Sequence, residues 1–217
     1  MTQFLEDARQ FTPILLEGAY VTVQVAFLSL VLSTVLGLTL ALMRMSSKPL
    51  FYVPAVTVIT GLRGIPIIVQ LMYIYFVLPE VGIDLSAFTA GVIGLGVAYS
   101  AYHAENFRAA ILAVDRGQYE AALSIGMGKA QLMRRIILPQ ALRIMLPPYG
   151  NITIMMLKDS SLASAITVSE VTRAGQLIAS STFKNMTVFT LVAFIYLVMS
   201  LPLTALNSWL ERRFAAK

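Results

Sequence analysis

The sequence predicts an all-α membrane protein with five transmembrane helices, the N-terminus outside the cell and the C-terminus inside. The first observation is composition: of 217 residues, 58% are hydrophobic and 12% are charged, and the mean hydropathy is +0.77. Ordinary soluble domains carry about twice that charged fraction. The second is that several apolar stretches have the roughly twenty residues that a helix needs to cross a bilayer. The third is the uneven distribution of cations between these stretches.

Five apolar stretches can each form one membrane-spanning helix. The first and the last contain no charged residue, whereas the other three include short polar motifs. The predicted spans cover residues 19–43, 51–79, 85–112, 149–168 and 187–210. A more polar segment over residues 115–148 separates the third span from the fourth. We expect the whole chain, residues 1–217, to form a single domain.

Lysine and arginine residues set the expected orientation, because they are enriched in the cytoplasmic loops of membrane proteins. With the N-terminus outside, ten cations lie inside and three lie outside. The inner cations are Arg44, Lys48, Arg116, Lys129, Arg134, Arg135, Arg143, Arg212, Arg213 and Lys217, and the outer ones are Arg9, Arg173 and Lys184. This asymmetry accounts for the net charge of +5 without a nucleic-acid partner. The absence of cysteine excludes disulfides and thiol chemistry.

The stretch EAALSIGMGKAQLMRRIILP, residues 120–139, is too polar for the membrane core and is predicted to form a helical hairpin in the cytoplasm. Gly126 and Gly128 punctuate it, and glycine commonly ends or bends a helix. Its alanines allow another surface to approach closely, and Glu120 supplies a fixed charge. Two interpretations fit: a knob that seats in a groove of a partner protein, or an amphipathic loop that only connects two spans.

This stretch resembles the EAA loop of binding-protein-dependent ABC importer permeases. The family pattern is Glu-Ala-Ala, three residues, Gly, nine residues, Ile, one residue and Leu-Pro. The sequence meets the pattern at Glu120, Ala121, Ala122, Gly126, Ile136, Leu138 and Pro139. The stretches RGIPIIVQLMYIYFVLP, AENFRAAILAVDRGQYEAA and LKDSSLASAITVSEVTRAGQ are similar to permeases for polar amino acids of the histidine, glutamine and arginine type.

The resemblance implies the type I ABC importer permease fold, also called MetI-like, and import of a polar amino acid across the bacterial cytoplasmic membrane. The seven EAA positions would dock on a cytosolic ABC ATPase dimer, which uses ATP and Mg, while this chain binds no cofactor. The chain lacks a phosphate-binding loop, since Gly128-Lys129 is followed by Ala130 instead of Ser or Thr. Other implied partners are a second copy or a related permease, an extracytoplasmic solute-binding protein and membrane lipids.

Polar residues inside a predicted span are candidate functional residues, because each ionisable one costs roughly 2.5–3.5 kcal/mol to insert. Lys158, Asp159, Ser160 and Ser161 lie about ten residues into the fourth span, near the middle of the bilayer. We expect Lys158 to contact the carboxylate of an amino acid, and Asp159 or the hydroxyls to contact its ammonium group. The alternative is that Lys158 and Asp159 neutralise each other and the hydroxyls bond to the helix backbone.

Four other polar residues are assigned to the solute pathway or to its gating. Arg63 lies in LRGIP, an expected hinge between an interfacial helix and the second span, where it either lines the pathway or reaches the inner headgroups. Gln70, one to two turns further along, is expected to line the pathway. Glu105 and Arg108 are three residues apart, which predicts an ion pair on one helix face, with gating as the alternative.

Rival functions explain less of the sequence. An intramembrane serine hydrolase would use Ser100 and His103, but no Gly-x-Ser-x-Gly elbow accompanies them. A stand-alone channel or ion-coupled carrier would often contain an inverted repeat, which we do not find. Neither rival accounts for the EAA pattern. An importer of an opine or another amino-acid derivative is the closer alternative to an importer of a polar amino acid.

Overall fold

The computed structural model describes residues 2–214, and every regular element in that range is helical. Met1 and residues 215–217, which include the predicted inner cation Lys217, lie outside the described residues. The helices are α1 (Thr2–Arg44), α2 (Pro49–Gly64), α3 (Ile67–Met72), α4 (Ala87–Leu112), α5 (Arg116–Ser124), α6 (Lys129–Leu132), α7 (Leu138–Asp159), α8 (Val171–Thr182) and α9 (Asn185–Phe214). Two π-helical turns (Tyr73–Val77 and Met133–Ile137) and two 3₁₀ segments (Leu78–Val81 and Ser160–Ile166) extend this helical path.

Two helices are apolar and long enough to cross a membrane, namely α1 over Gln3–Arg44 and α9 over Asn185–Phe214. A third stretch qualifies if α2 and the segment Ile67–Val81 are taken together, although a bend of 104° separates them. α4 and α7 have 26 and 22 residues, which at 1.5 Å per residue is long enough to span. Neither is among the helices that qualify as membrane spans by hydropathy. The fold is therefore all-helical, with two or three spans recognisable by length and composition.

α1 extends well beyond the predicted first span, because it begins at Thr2 instead of residue 19. The added turns carry charged residues, so a span predicted from apolar length alone does not include them. Phe11 and Leu15 on these turns are buried against residues of α8 and α9. Asp7 accepts a hydrogen bond of 2.5 Å from the Lys184 ammonium group, just before α9. Tertiary packing therefore stabilises this part of the helix.

The predicted break at LRGIP is confirmed. α2 ends at Gly64, and α3 begins at Ile67 after a bend of 104°. Ile65 adopts an extended backbone with φ −104° and ψ 131°, as expected for a residue that precedes proline. The second apolar stretch is therefore two helices that meet at a sharp angle.

The predicted boundary between the hairpin and the fourth span, at residues 148 and 149, is not a helix boundary. α7 runs without interruption from Leu138 to Asp159 and includes Pro147 and Pro148. Proline in a helix interior normally removes a backbone hydrogen bond and bends the helix. Contacts with the neighbouring helices hold this region, including the Asn106 amide of α4, which donates to the Met145 carbonyl at 3.2 Å.

α4 lies at the centre of the bundle, with 14 of its 26 residues buried. Its most extensive contact is with α1. Small residues bring the two backbones together, as is common between membrane helices. A Cβ atom placed on Gly37 of α1 would lie 2.7 Å from the Cβ of His103 and 2.9 Å from the Ser100 carbonyl oxygen. The α1–α4 contact therefore has no room for a larger side chain at residue 37.

Candidate functional site

The first four EAA residues, Glu120, Ala121, Ala122 and Gly126, lie on a helix-turn-helix formed by α5 and α6. Asp115 caps α5 by accepting a hydrogen bond of 2.6 Å from the Gly117 N–H. The chain then turns at Gly126, whose φ of +79° is in the left-handed region where glycine is favoured. The Gly126 N–H donates to the Leu123 carbonyl at 2.9 Å, which closes the turn before α6. The predicted helix-turn-helix is present, with Gly126 as its turn residue, and its location in the cytoplasm stays a prediction.

The hairpin packs on the rest of the molecule through one small apolar cluster. Ala122, only 5% exposed, lies in this cluster with Ala110 and Val114 from the end of α4 and with residues of α6, the π turn and α7. Glu120 and Ala121 face outward, and Ile125 at the tip is 77% exposed. The Glu-Ala-Ala residues therefore divide into one alanine that anchors the hairpin and two neighbours that remain accessible.

A cleft of about 510 Å³ opens beside the hairpin. Glu120 and Tyr119 of α5 line one part of it, and Met45, which follows α1, lines another. The sequence did not indicate that the end of α1 reaches this surface. A residue of a partner protein inserted here would contact both the hairpin and the first long helix.

The remaining EAA residues lie where the hairpin joins α7. Ile136 belongs to the π-helical turn Met133–Ile137, and Leu138-Pro139 follows it directly. The other π-helical turn, Tyr73–Val77, is also followed by Leu-Pro, at Leu78-Pro79. A proline clashes with the carbonyl four residues earlier and cannot donate to it, and a wider π turn accommodates both effects. Leu138 and Pro139 are exposed, and Ile136 is half-buried.

The predicted solute-pathway residues Arg63 and Asp159 contact the same pair of tyrosines on α4. The Tyr99 hydroxyl donates a hydrogen bond of 2.7 Å to Asp159 Oδ2. The Tyr99 and Tyr102 ring centroids are 5.6 Å apart. The Arg63 guanidinium carbon lies 5.7 Å from the Tyr102 centroid, within the range of a cation–π contact. Neither tyrosine was predicted as a site residue, although a spacing of three residues within a helix places them on one face.

Lys158, Ser160 and Ser161, the other residues of the KDSS motif, differ in their burial and in their hydrogen bonds. Lys158 is exposed and makes no ion pair with a described residue, so the alternative in which Lys158 and Asp159 neutralise each other is not observed. Ser160 is buried, and its hydroxyl donates to the Leu157 carbonyl at 2.7 Å. Ser161 is half-buried. The structure thus shows backbone bonding for Ser160 and leaves the Asp159 carboxylate bonded to Tyr99.

Gln70 is buried at the break between α2 and α3. Its amide nitrogen donates to the carbonyls of Leu62 and Ile65, each at 2.8 Å. These carbonyls lie at the end of α2, where the helix leaves acceptors without an internal partner. Gln70 therefore stabilises the break, a structural contribution that the sequence analysis did not assign. Its role in lining a pathway stays a prediction.

The predicted ion pair between Glu105 and Arg108 is confirmed, with Arg108 Nη2 3.0 Å from Glu105 Oε2. The other carboxylate oxygen of Glu105 is bonded by Arg44 of α1. The carboxylate therefore connects α1 to α4 near the hairpin. A role in gating stays a prediction.

Ser100 and His103 do not form a catalytic pair. The Ser100 hydroxyl donates to the Val97 carbonyl at 2.6 Å. Both ring nitrogens of His103 lack a hydrogen-bond partner among the described residues, and the ring packs 4.7 Å from that of Tyr149. A serine nucleophile needs a hydrogen bond to its base. The geometry therefore gives no support to a serine hydrolase.

Comparisons with known proteins agree with this arrangement. Residues 33–216 match the family described as the binding-protein-dependent transport system inner membrane component. The probable amino-acid ABC transporter permease protein YckA of Bacillus subtilis (strain 168) is 41% identical over 94% of this chain and 90% of its own. The glutamine transport system permease protein GlnP of Escherichia coli (strain K12) is 40% identical, over 93% of both chains.

A solved structure extends the likeness to three dimensions. The crystal structure of an amino acid ABC transporter with histidines has a chain that is 42% identical, with a TM-score of 0.92 over 97% of this chain and 98% of its own. The chain belongs to the family of binding-protein-dependent transport system inner membrane components, the permease subunits of ABC transporters. Its helical fold is the MetI-like fold of type I importer permeases.

Proposed function

We propose that this chain is the transmembrane subunit of an ATP-driven importer for a polar amino acid in the bacterial cytoplasmic membrane. It crosses the membrane five times, with the N-terminus outside and the C-terminus inside. The observation that carries the proposal is the complete EAA pattern on a hairpin that Ala122 anchors and whose turn is exposed. The distribution of cations along the sequence supports this orientation.

The hairpin couples transport to ATP hydrolysis. A cytosolic ABC ATPase dimer binds Glu120, Ala121 and the neighbouring exposed surface, and its closure displaces the hairpin. The helical path from α6 through the π turn and α7 continues to Asp159, so displacement at one end moves the other. The transporter then alternates between outward-open and inward-open states. A second permease copy or a related permease completes the membrane part, and an extracytoplasmic binding protein delivers the solute.

The Tyr99–Asp159 pair supplies the negative end of the solute site. The Asp159 carboxylate accepts one hydrogen bond, from Tyr99, and forms no ion pair with a described residue. It can therefore accept further hydrogen bonds from an ammonium group. Lys158 and Arg63 are exposed cations that can receive the solute carboxylate. The names of the relatives, which include a glutamine permease, support a polar amino acid as the solute.

Uptake in proteoliposomes tests the proposal. The permease would be reconstituted with an ABC ATPase and a solute-binding protein from the same organism, and labelled polar amino acids would be offered with ATP inside. We expect uptake that depends on ATP and on the binding protein. Glu120→Lys should abolish uptake and weaken co-purification of the ATPase, whereas Gln118→Lys, on the same exposed helix, should leave both in place. Normal uptake by the Glu120→Lys variant would contradict the coupling role.

A further inference from the structure

An apolar groove runs between α1, α7 and α9 on the outside of the bundle. It consists of two adjoining cavities of about 320 and 240 Å³, which share the lining residues Leu30, Thr153 and Leu203. The α7 residues that line the groove are spaced three or four apart and so share one face of that helix: Leu146, Tyr149, Gly150, Thr153 and Leu157. The groove therefore follows the helices along the membrane normal.

The polar groups around the groove, with the exception of one buried amide oxygen, are hydrogen-bonded within the protein. The Thr153 hydroxyl donates to the Tyr149 carbonyl at 2.9 Å, and the Tyr149 hydroxyl is 2.8 Å from the Thr34 hydroxyl. The Asn207 amide nitrogen donates to Asn151 and to Glu211 at 3.1 and 3.0 Å. Asn207 Oδ1 has no described partner, but it lies directly against Gly150. The groove thus offers an occupant contact with apolar groups only.

The dimensions match one hydrocarbon chain. From Leu146 to Leu157 the groove follows α7 for about 16 Å, at 1.5 Å per residue. This is about half of the 30 Å hydrocarbon thickness of a bilayer, and so one leaflet. A helix of 10 Å diameter and equal length occupies about 1,200 Å³, far more than the two cavities contain. A second helix could cover the groove but could not fill it.

A cation lies at one end of the groove. Leu210 of α9 lines this end, and Arg213 follows it by three residues, on the same helix face. Arg213 is exposed and forms no ion pair with a described residue, and the Glu211 carboxylate accepts hydrogen bonds from the Asn207 and Asn151 amides instead. Basic side chains at the cytoplasmic ends of membrane helices attract anionic headgroups.

We propose that this groove binds one acyl chain of an anionic phospholipid, whose headgroup contacts Arg213. The assignment to the inner leaflet rests on the orientation given under the proposed function. The bound chain lies along the outer groove lined by α1, α7 and α9, and so covers the contact between α7 and α9.

Native mass spectrometry tests the site. The full-length protein would be released from nanodiscs that contain equal parts of phosphatidylglycerol and phosphatidylcholine, and retained lipids would be counted. We expect a retained phosphatidylglycerol on each wild-type chain and its loss from Leu203→Trp, which fills the junction of the cavities. Leu201→Trp, on the open face of the same helix, should retain it. If Leu203→Trp does not fold, Ala26→Phe is used in its place. It fills the groove from α1 and should cause the same loss of lipid.

A second pair of variants tests the contact between the lipid headgroup and Arg213. Arg213→Gln should retain a lipid but lose the preference for phosphatidylglycerol, whereas Arg135→Gln, an exposed cation of the hairpin, should keep the preference. Equal lipid retention by wild type and both groove-filling variants would overturn the proposal. So would a groove-filling variant that shifts a permease dimer to monomer with an unchanged lipid count, because a second copy would then cover the groove. These counts need no ATPase, so a failure of the transport proposal would be seen separately.

Discussion

The α1–α4 contact and the α5–α6 hairpin are packed in opposite ways. Along α1 and α4, residues as small as Gly37 allow two long helices to touch backbone to backbone. The hairpin touches the rest of the molecule through one small cluster around Ala122, and its tip is exposed. A region with many close contacts cannot deform locally, whereas a region with few can move as a unit. This difference indicates a rigid bundle with a hairpin that is attached to it through few contacts.

The largest expected effect comes from breaking the close contact. Gly37→Leu would place side-chain atoms where the backbone and side chain of α4 already lie, since the first added carbon would be 2.7 Å from His103 Cβ. Overpacking a core costs about 1–3 kcal/mol, and more when backbone must shift. We expect loss of most folded protein, measured by size-exclusion chromatography and thermal unfolding in detergent. Gly61→Leu, in open space on α2, should behave as wild type; equal behaviour of the two variants would contradict a tight α1–α4 contact.

The second-largest effect is expected on solute affinity, from a change at Asp159 at the end of α7. Asp159→Asn keeps the shape and the contact with Tyr99 but removes the negative charge. A hydrogen bond to a charged group contributes about 1.5–3 kcal/mol, so solute affinity should fall by about tenfold to a hundredfold. Equilibrium binding of the amino acid to the purified transporter measures this change. Tyr99→Phe, which leaves the carboxylate but removes its donor, should cause a smaller loss. Unchanged affinity in Asp159→Asn would remove this residue from the site.

The smallest effect is expected in the hairpin. Gly126→Ala forces an alanine into the left-handed conformation, which costs about 1–2 kcal/mol. The cost falls on the turn alone, so thermal unfolding of the bundle should not change, while ATPase binding weakens several-fold. Gly128→Ala is the matched control, because Gly128 has an extended backbone with φ −69° and open space around it. If both variants bind the ATPase equally, the turn geometry is not part of the docking surface.

The hairpin could be predicted because its determinants are local. The residues of the EAA pattern lie within twenty positions, and the turn needs only a glycine at residue 126. The break at LRGIP was predictable for the same reason, since proline and glycine act on their immediate neighbours. The start of α1 was not, because residues 2–18 are too polar to read as a span and are held by contacts with α8 and α9.

The candidate solute-pathway residues were predicted one by one from the sequence, but their contacts with each other and with α4 were not. Arg63 and Asp159 are 96 positions apart, and only folding brings each of them to the tyrosines of α4. The sequence predicted one ion-pair partner for Glu105, namely Arg108. The structure adds a second, Arg44, which lies on another helix. A spacing of three or four residues reveals neighbours on one helix, but it carries no information about which helices pack together.

The sequence by itself determined that this chain is a helical membrane protein of the importer permease family, where its glycine and proline breaks fall, and which residues form the hairpin. Composition, apolar length and short motifs suffice for these, because each depends on neighbouring residues. Only the tertiary structure decided that Gln70 stabilises a helix break, that Tyr99 donates a hydrogen bond to Asp159, and that an apolar groove runs along α1, α7 and α9. These features arise where distant segments meet, and the free energy of such contacts depends on packing that no single segment contains.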